Sequence, residues 1–175
     1  MSIRRNVKLS NQLLPSLLDR LTDVEPKRRQ EIKQDYVFNL PQYRQAVLRD
    51  ILALLNTTCL QSNDLAKPLP PHLENSVINY GIRAFSGNNF ADIEWQQVEQ
   101  VITHALINYE PRLEANTIQV SVIVNNEAEL LNHRLIIEIK GDLKLNPYPQ
   151  EFLLRTSMDI ETGLFNLVEG STHEW

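Results

Sequence analysis

The chain has 175 residues, of which 42% are hydrophobic and 22% charged, and its formal net charge is -5. This length fits one domain that buries its own core, and the acidic balance argues against a nucleic-acid-binding protein. The single cysteine, Cys59, excludes an intramolecular disulfide and any C-x-x-C motif, and we expect it to be a small buried hydrophobe.

A short amphipathic helix over residues 16–21 is the first predicted element. Leucines spaced by three and four residues form its apolar stripe: Leu14, Leu17, Leu18 and Leu21. Polar residues interrupt the apolar run, so it is neither a signal-peptide core nor a membrane span, and we expect a cytoplasmic protein. Because so short a helix is unstable alone, the stripe must dock on this domain or on another protein.

Two longer helices follow, over residues 43–55 and 92–109, the second with Asp92 as its N-cap. Between them, the proline-rich residues 67–71 predict a stiff surface connection. Residues 76–82 are apolar enough to predict a short buried element. Pro111 ends the second helix, because proline disfavours helical geometry at the residue before it.

After Pro111 the hydrophobic period changes from 3.6 to 2, which predicts strands. We predict four strands, over residues 118–124, 135–140, 152–160 and 164–168. Gly141 and Asp142 mark the end of the second strand. Helices followed by hairpin-connected strands predict an α+β fold, with the helices on one face of a small, mainly antiparallel sheet. The predicted organisation is an N-terminal helical arm (1–41), one domain (42–168) and a C-terminal tail (169–175).

No motif of a cofactor, a metal site or a nucleophilic triad is found. The chain lacks a glycine-rich phosphate loop and a G-x-S-x-G motif. The histidines are His72, His104, His133 and His173, and no two of them have the spacing of metal ligands on a helix. We therefore predict no metal and no cofactor.

A pair of carboxylates is the remaining route to catalysis. Glu110 could serve as the acid of a glycosidase if it were desolvated. Nothing in the pattern selects a partner for it among Asp92, Glu114, Asp142 and Asp159.

The segment Glu110-Pro111-Arg112 lies where the best helical pattern ends and the strands begin. Proline between an acid and a base makes a rigid corner from which both side chains project in defined directions. They could pair with each other, or clamp another protein through the planar guanidinium, or act in catalysis. The residue pattern leaves these three alternatives open.

Several segments together resemble the type VI secretion baseplate subunit family TssE, part of the lysozyme-like baseplate-wedge family of contractile phage tails. The similarity covers roughly residues 13–168. In chain order, its motifs lie at 16–21 (SLLDRL), 43–51 (YRQAVLRDI), 56–58 (NTT), 76–81 (SVINYG), 109–113 (YEPRL) and 159–163 (DIETG).

This resemblance implies a structural subunit at the cytoplasmic baseplate of a membrane-anchored secretion machine, with no membrane insertion of its own. The implied partners are the baseplate subunits TssF, TssG and TssK and the sheath subunits TssB and TssC. Glu110 and Arg112 would hold a junction with these partners and Pro111 would set the corner. Such members are thought to help start sheath polymerisation. Because we find no signal-peptide pattern and the motifs select no second carboxylate, we expect no enzymatic activity.

Two further expectations remain to be compared with the structure. The alternative function is a glycoside hydrolase acting on peptidoglycan, which requires a second carboxylate about 5–10 Å from Glu110. The adaptor function predicts that Glu110→Ala or Arg112→Ala leaves the fold intact and weakens assembly. Its mode could be strand sharing at an open sheet edge, with Lys140, Lys144 and Arg155 as guards or merely as a solvated face.

Overall fold

A computed structural model describes residues 13–22, 27, 37–62, 69–85, 94–123 and 134–168. The helices are α1 (Leu17–Leu21), α2 (Leu40–Leu55), α3 (Pro71–Glu74) and α4 (Trp95–Tyr109). The strands are β1 (Gln119–Ile123), β2 (Arg134–Leu143), β3 (Gln150–Asp159) and β4 (Phe165–Leu167). The α+β prediction is confirmed; the predicted tail and residue Asp92 lie outside the described residues.

The four strands form one antiparallel sheet in the order β1-β2-β3-β4. The sequence prediction ended β2 too early, since the strand continues through Gly141 and Asp142 to Leu143. The ladder explains the difference: Gly141 lies opposite Phe152 and Asp142 opposite Glu151 on β3. A glycine tolerated inside a paired strand cannot be distinguished locally from one that ends it.

The hydrophobic core lies between the helices and one face of the sheet. Alternate residues of β2 and β3 supply the sheet side, and α2 and α4 supply the other. Core side chains from these four elements that are at most 5% exposed include Val47, Ile51, Leu54, Val98, Ile102, Leu106, Leu135, Ile137, Ile139, Phe152, Leu154 and Met158. The helical period and the strand period therefore both point to the surface that is buried.

Helix α2 begins three residues earlier than predicted because its cap was missed. The Asn39 side chain accepts a hydrogen bond from the Gln42 N–H at 2.9 Å, and the Gln42 side chain accepts one from the Asn39 N–H at 3.0 Å. This reciprocal capping box satisfies two main-chain donors, and Pro41 fits the first turn. Helix α4 begins at Trp95, with Glu94 at the N-cap.

Ile82 is 4% exposed and Tyr80 packs against the core, but residues 76–82 form the predicted buried element only in part. They contain a 3₁₀ turn, Val77–Asn79, in which Val77 is 82% exposed and Ile78 is 61% exposed. The buried residue of this turn is Asn79. Its side chain accepts a hydrogen bond from the Gln61 N–H and donates one to the Glu74 carbonyl. Polar bonding, not apolar burial, fixes this turn. The predicted burial of Cys59 is confirmed, and Phe85 is buried as well.

The sheet face opposite the helices carries a buried carboxylate. Glu138 is 5% exposed, and it accepts hydrogen bonds from Arg155 Nε at 2.7 Å and pairs with Lys140 Nζ at 2.5 Å. Lys140 and Arg155 are thus engaged with Glu138, and Lys144 Nζ donates to the Pro111 carbonyl.

This cluster makes stability depend on pH. Hydrogen bonds from Lys140 and then Arg155 hold the pKa of Glu138 below its ordinary value of 4.5. A carboxyl with a lowered folded-state pKa stabilises the fold above pH 4.5 and loses that contribution as pH falls through the folded pKa. We expect the wild type to lose about 1 kcal/mol more than Glu138→Gln between pH 7 and pH 3.

Urea unfolding at both pH values measures this difference. Glu151→Gln is the control, because Glu151 is exposed. Identical pH profiles for Glu138→Gln and the wild type would show that the cluster contributes nothing.

Candidate functional site: the Glu110-Pro111-Arg112 corner

The corner follows the end of α4 in the chain and lies against the end of β2 in space. Glu110 still donates its N–H to the Leu106 carbonyl at 2.9 Å, and Pro111 then ends the helix. The Arg112 carbonyl accepts the Lys144 N–H at 2.8 Å, beside a bridge between Leu113 and Leu143. The main chain is therefore held on both sides of the corner before any side chain is considered.

The side chains of Glu110 and Arg112 pair with each other. Glu110 is only 3% exposed. Its Oε1 accepts from Arg112 Nε at 2.6 Å and from the Arg112 main-chain N–H at 3.1 Å, and its Oε2 accepts from Arg112 Nη2 at 2.5 Å. Of the three alternatives that the sequence left open, the structure shows local pairing. Both carboxylate oxygens of Glu110 accept hydrogen bonds in this pair.

Sequence reasoning missed a third member of this cluster, Asp50 on α2. Arg112 Nη2 lies 2.8 Å from Asp50 Oδ2, and Asp50 Oδ1 accepts from Arg49 Nη2 at 2.7 Å. Arg49 Nη1 in turn lies 2.5 Å from Asp19 Oδ1 on α1. The local signal was an adjacent pair of opposite charges, Arg49 and Asp50, on α2.

These five residues form one chain of alternating charges from α1 to the corner, in the order Asp19, Arg49, Asp50, Arg112, Glu110. Burial disfavours the charged form of Arg112, but Glu110 and Asp50 outweigh this effect and raise its pKa. The hydrogen bond from Arg49 holds the pKa of Asp19 below its ordinary value. This series of ion pairs ties α1 to α2 and to the corner.

A pocket of about 430 Å³ opens beside the corner. Its walls include three tyrosines and a leucine of the arm, namely Tyr43, Tyr80, Tyr109 and Leu14. Within the described residues, Arg112 Nη1 and the hydroxyls of Tyr43 and Tyr80 make no hydrogen bond. Burial raises the pKa of both tyrosines, so their hydroxyls stay protonated. The pocket therefore offers donors to a carbonyl or carboxylate of a partner.

The corner is not arranged like a glycosidase site. The second carboxylate near Glu110 is Asp50, which was not among the expected candidates, and Arg112 Nη2 lies between the two. A hydrolase needs that space for the scissile bond and a free oxygen on its acid. Asp159 lies instead at the end of β3, where its Oδ1 accepts hydrogen bonds from the N–H groups of Glu161 and Thr162 in the following turn.

The leucine stripe of the arm faces outward. Helix α1 is closed by a capping box between Ser16 and Asp19, and Phe38 donates its N–H to the Leu13 carbonyl at 2.8 Å. The arm is held to the domain by the Asp19–Arg49 ion pair and by packing of Leu13 and Phe38 against the core. Its leucines remain solvent-exposed, at 51% for Leu14, 72% for Leu17, 64% for Leu18 and 75% for Leu21.

Within the described part of the chain, no group of three or more His, Cys, Asp and Glu residues could hold a metal ion. None of the helices in the described ranges is long and apolar enough to span a membrane.

Comparisons with known proteins bear on this site. The model of the family "Baseplate wedge protein gp25" matches residues 41–148, a span that includes the corner. A tail lysozyme from Geobacter sulfurreducens has a solved structure with 17% sequence identity and a TM-score of 0.42, covering 78% of this chain and 98% of its own. No curated protein matches the chain.

Proposed function

The chain belongs to the baseplate wedge protein gp25 family, and from that membership we propose that it is a non-enzymatic structural subunit of a type VI secretion baseplate. It binds other wedge subunits, TssF, TssG and TssK, and helps to start polymerisation of the TssB and TssC sheath. The family match over residues 41–148 carries this proposal. The ordered motifs that resemble TssE favour the type VI machine, at the cytoplasmic side of the membrane.

The corner supports a binding role rather than a catalytic one. Because Glu110 and Arg112 satisfy each other, the corner is a rigid platform, and the pocket beside it keeps unpaired donors. A partner carbonyl or carboxylate placed against Arg112 Nη1 would add hydrogen bonds without breaking the pair. Pro111 is exposed at the same point and contributes contact surface.

The leucines of α1 supply a second contact surface in this proposal. Three exposed leucines lie on α1, Leu14 lies just before it, and the Asp19–Arg49 pair anchors this helix to α2. Leu14 also lines the corner pocket, so the two surfaces are continuous. Exposed apolar clusters of this kind mark interaction sites.

The test is co-purification with TssF, TssG and TssK, followed by sheath seeding with TssB and TssC. We expect the wild type to enter the wedge and Leu17→Asp/Leu21→Asp to lose at least about tenfold in affinity, since two buried leucines contribute about 1.5 kcal/mol or more each. Their exposure in the isolated chain predicts an unchanged thermal melt.

Ile107→Asp is the matched control, because Ile107 is 46% exposed but lies on α4, outside both surfaces. Normal entry of the double leucine variant would remove the arm from the interface. Wall-degrading activity of the purified protein that is lost in Glu110→Gln would instead favour the hydrolase.

A further inference from the structure

Side chains already occupy main-chain groups at both edges of the sheet. At β4, Asn56 Nδ2 donates to the Phe165 carbonyl at 3.0 Å, and Asn56 Oδ1 accepts the Phe165 N–H at 2.9 Å. At β1, Glu99 Oε1 accepts the Val122 N–H at 2.8 Å. These residues, rather than lysines, guard the edges, so strand sharing at either edge must first displace a satisfied side chain.

A different main-chain position, Arg83, has no backbone partner within the described part of the chain. Ile82 donates its N–H to the Thr57 carbonyl at 2.9 Å and accepts the Cys59 N–H at 2.9 Å, as in a parallel bridge. Successive residues of an extended chain direct these groups to opposite sides. Arg83 therefore presents its N–H and C=O away from Thr57 and Cys59, and neither group has a partner within the described residues.

Arg83 borders a cleft of about 810 Å³ that is lined by residues 81–84, by α4, and by Cys59, Gln61, Glu74 and Asn79. The opposite wall is polar and exposed, formed by Gln97, Gln100 and His104, and Val101 and Ala105 lie at its floor. Along the helix axis, residues 97–104 span about 10 Å, which is the length of about three extended residues.

The polar groups of the cleft suit the uncharged main chain of a bound peptide. Glutamine amides both donate and accept, as a peptide group requires, and the wall carries no cluster of one charge sign. Arg83 Nη2 donates to Gln97 Oε1 at 2.8 Å across the cleft and so limits it on that side. The floor at Val101 and Ala105 accommodates a small or medium-sized apolar side chain.

We propose that this cleft binds an extended peptide segment of another baseplate subunit, which pairs its main chain with Arg83 and inserts one apolar side chain between residues 81–84 and α4. Strand addition of this kind draws affinity from main-chain hydrogen bonds and specificity from the side-chain pocket. The inference rests on the proposed function, since the peptide comes from a wedge subunit.

A pair of substitutions at one position tests the main-chain contact. Arg83→Ala and Arg83→Pro both remove the Arg83–Gln97 hydrogen bond, but only proline removes the main-chain N–H. In wedges reconstituted with TssF, TssG and TssK, we expect Arg83→Pro to bind at least about tenfold more weakly than Arg83→Ala. Equal binding of the two variants overturns the proposal.

Hydrogen exchange of wild-type residues 81–85 keeps the test decisive if Arg83→Pro lowers the thermal melt. We expect exchange to be at least about tenfold slower in the assembled wedge than in the free chain, because the Arg83 N–H then has an acceptor. Unchanged exchange in an assembled wedge overturns the cleft proposal alone. Failure of the wild type to enter any wedge overturns the proposed function and this inference with it.

Discussion

Glu110→Ala is expected to lower the free energy of unfolding by about 3–5 kcal/mol, the cost of removing one partner of a buried ion pair. Glu110 is 3% exposed and receives three hydrogen bonds from Arg112. Its removal leaves a guanidinium partly buried with only Asp50 as a counter-ion. The structure thus revises the sequence expectation that the fold would be insensitive to this substitution.

The matched series contains Arg112→Ala and the double variant. The double variant should lose less stability than the sum of the single losses, because neither charge is then left without its partner. Glu151→Ala is the control, since Glu151 is exposed. Urea unfolding of the wild type and the four variants measures the coupling, and an unchanged midpoint for Glu110→Ala would show that the pair does not stabilise the fold.

Gly81→Ala is expected to be comparably damaging, at about 3 kcal/mol or more, because it combines backbone strain with a steric clash. Gly81 has φ +117°, where side chains other than glycine are strained, and an added Cβ would lie 2.3 Å from the Thr57 carbonyl oxygen. The hydrogen bond from the Ile82 N–H to the Thr57 carbonyl, which belongs to the Thr58–Ile82 bridge, must therefore shift.

Gly141→Ala provides the control for Gly81→Ala. A Cβ there meets its nearest neighbours at 3.7 Å, in Ile118 and Thr117, which is ordinary contact. We expect its free energy of unfolding to change by less than about 1 kcal/mol. Thermal melts of the two variants decide the matter, and equal losses would refute the strain assigned to Gly81.

Variants of Glu110 and Arg112 are poor reporters of a binding interface. A corner variant that loses both stability and partner binding cannot by itself locate an interface, because the brace and the platform share Glu110 and Arg112. Variants at Leu17, Leu21 and Arg83 are better reporters, since their side chains are exposed. Binding loss with an unchanged melt at those positions reports on contact alone.

Local pattern determined the elements and most of the core. The 3.6 period predicted α2 and α4, the period of 2 predicted four strands, and Pro111 predicted where the second long helix ends. Errors arose where one contact overrides the pattern. The cap between Asn39 and Gln42 moved the start of α2, and pairing with β3 extended β2.

Tertiary structure alone decided the composition of the site. The sequence by itself identified Glu110, Pro111 and Arg112, because a proline between opposite charges is visible locally. It could not identify Asp50, which lies 62 positions from Arg112 and reaches it only when α2 packs beside α4. Periodicity reports which face of an element is buried, whereas the pairing of two side chains depends on how separate elements pack together.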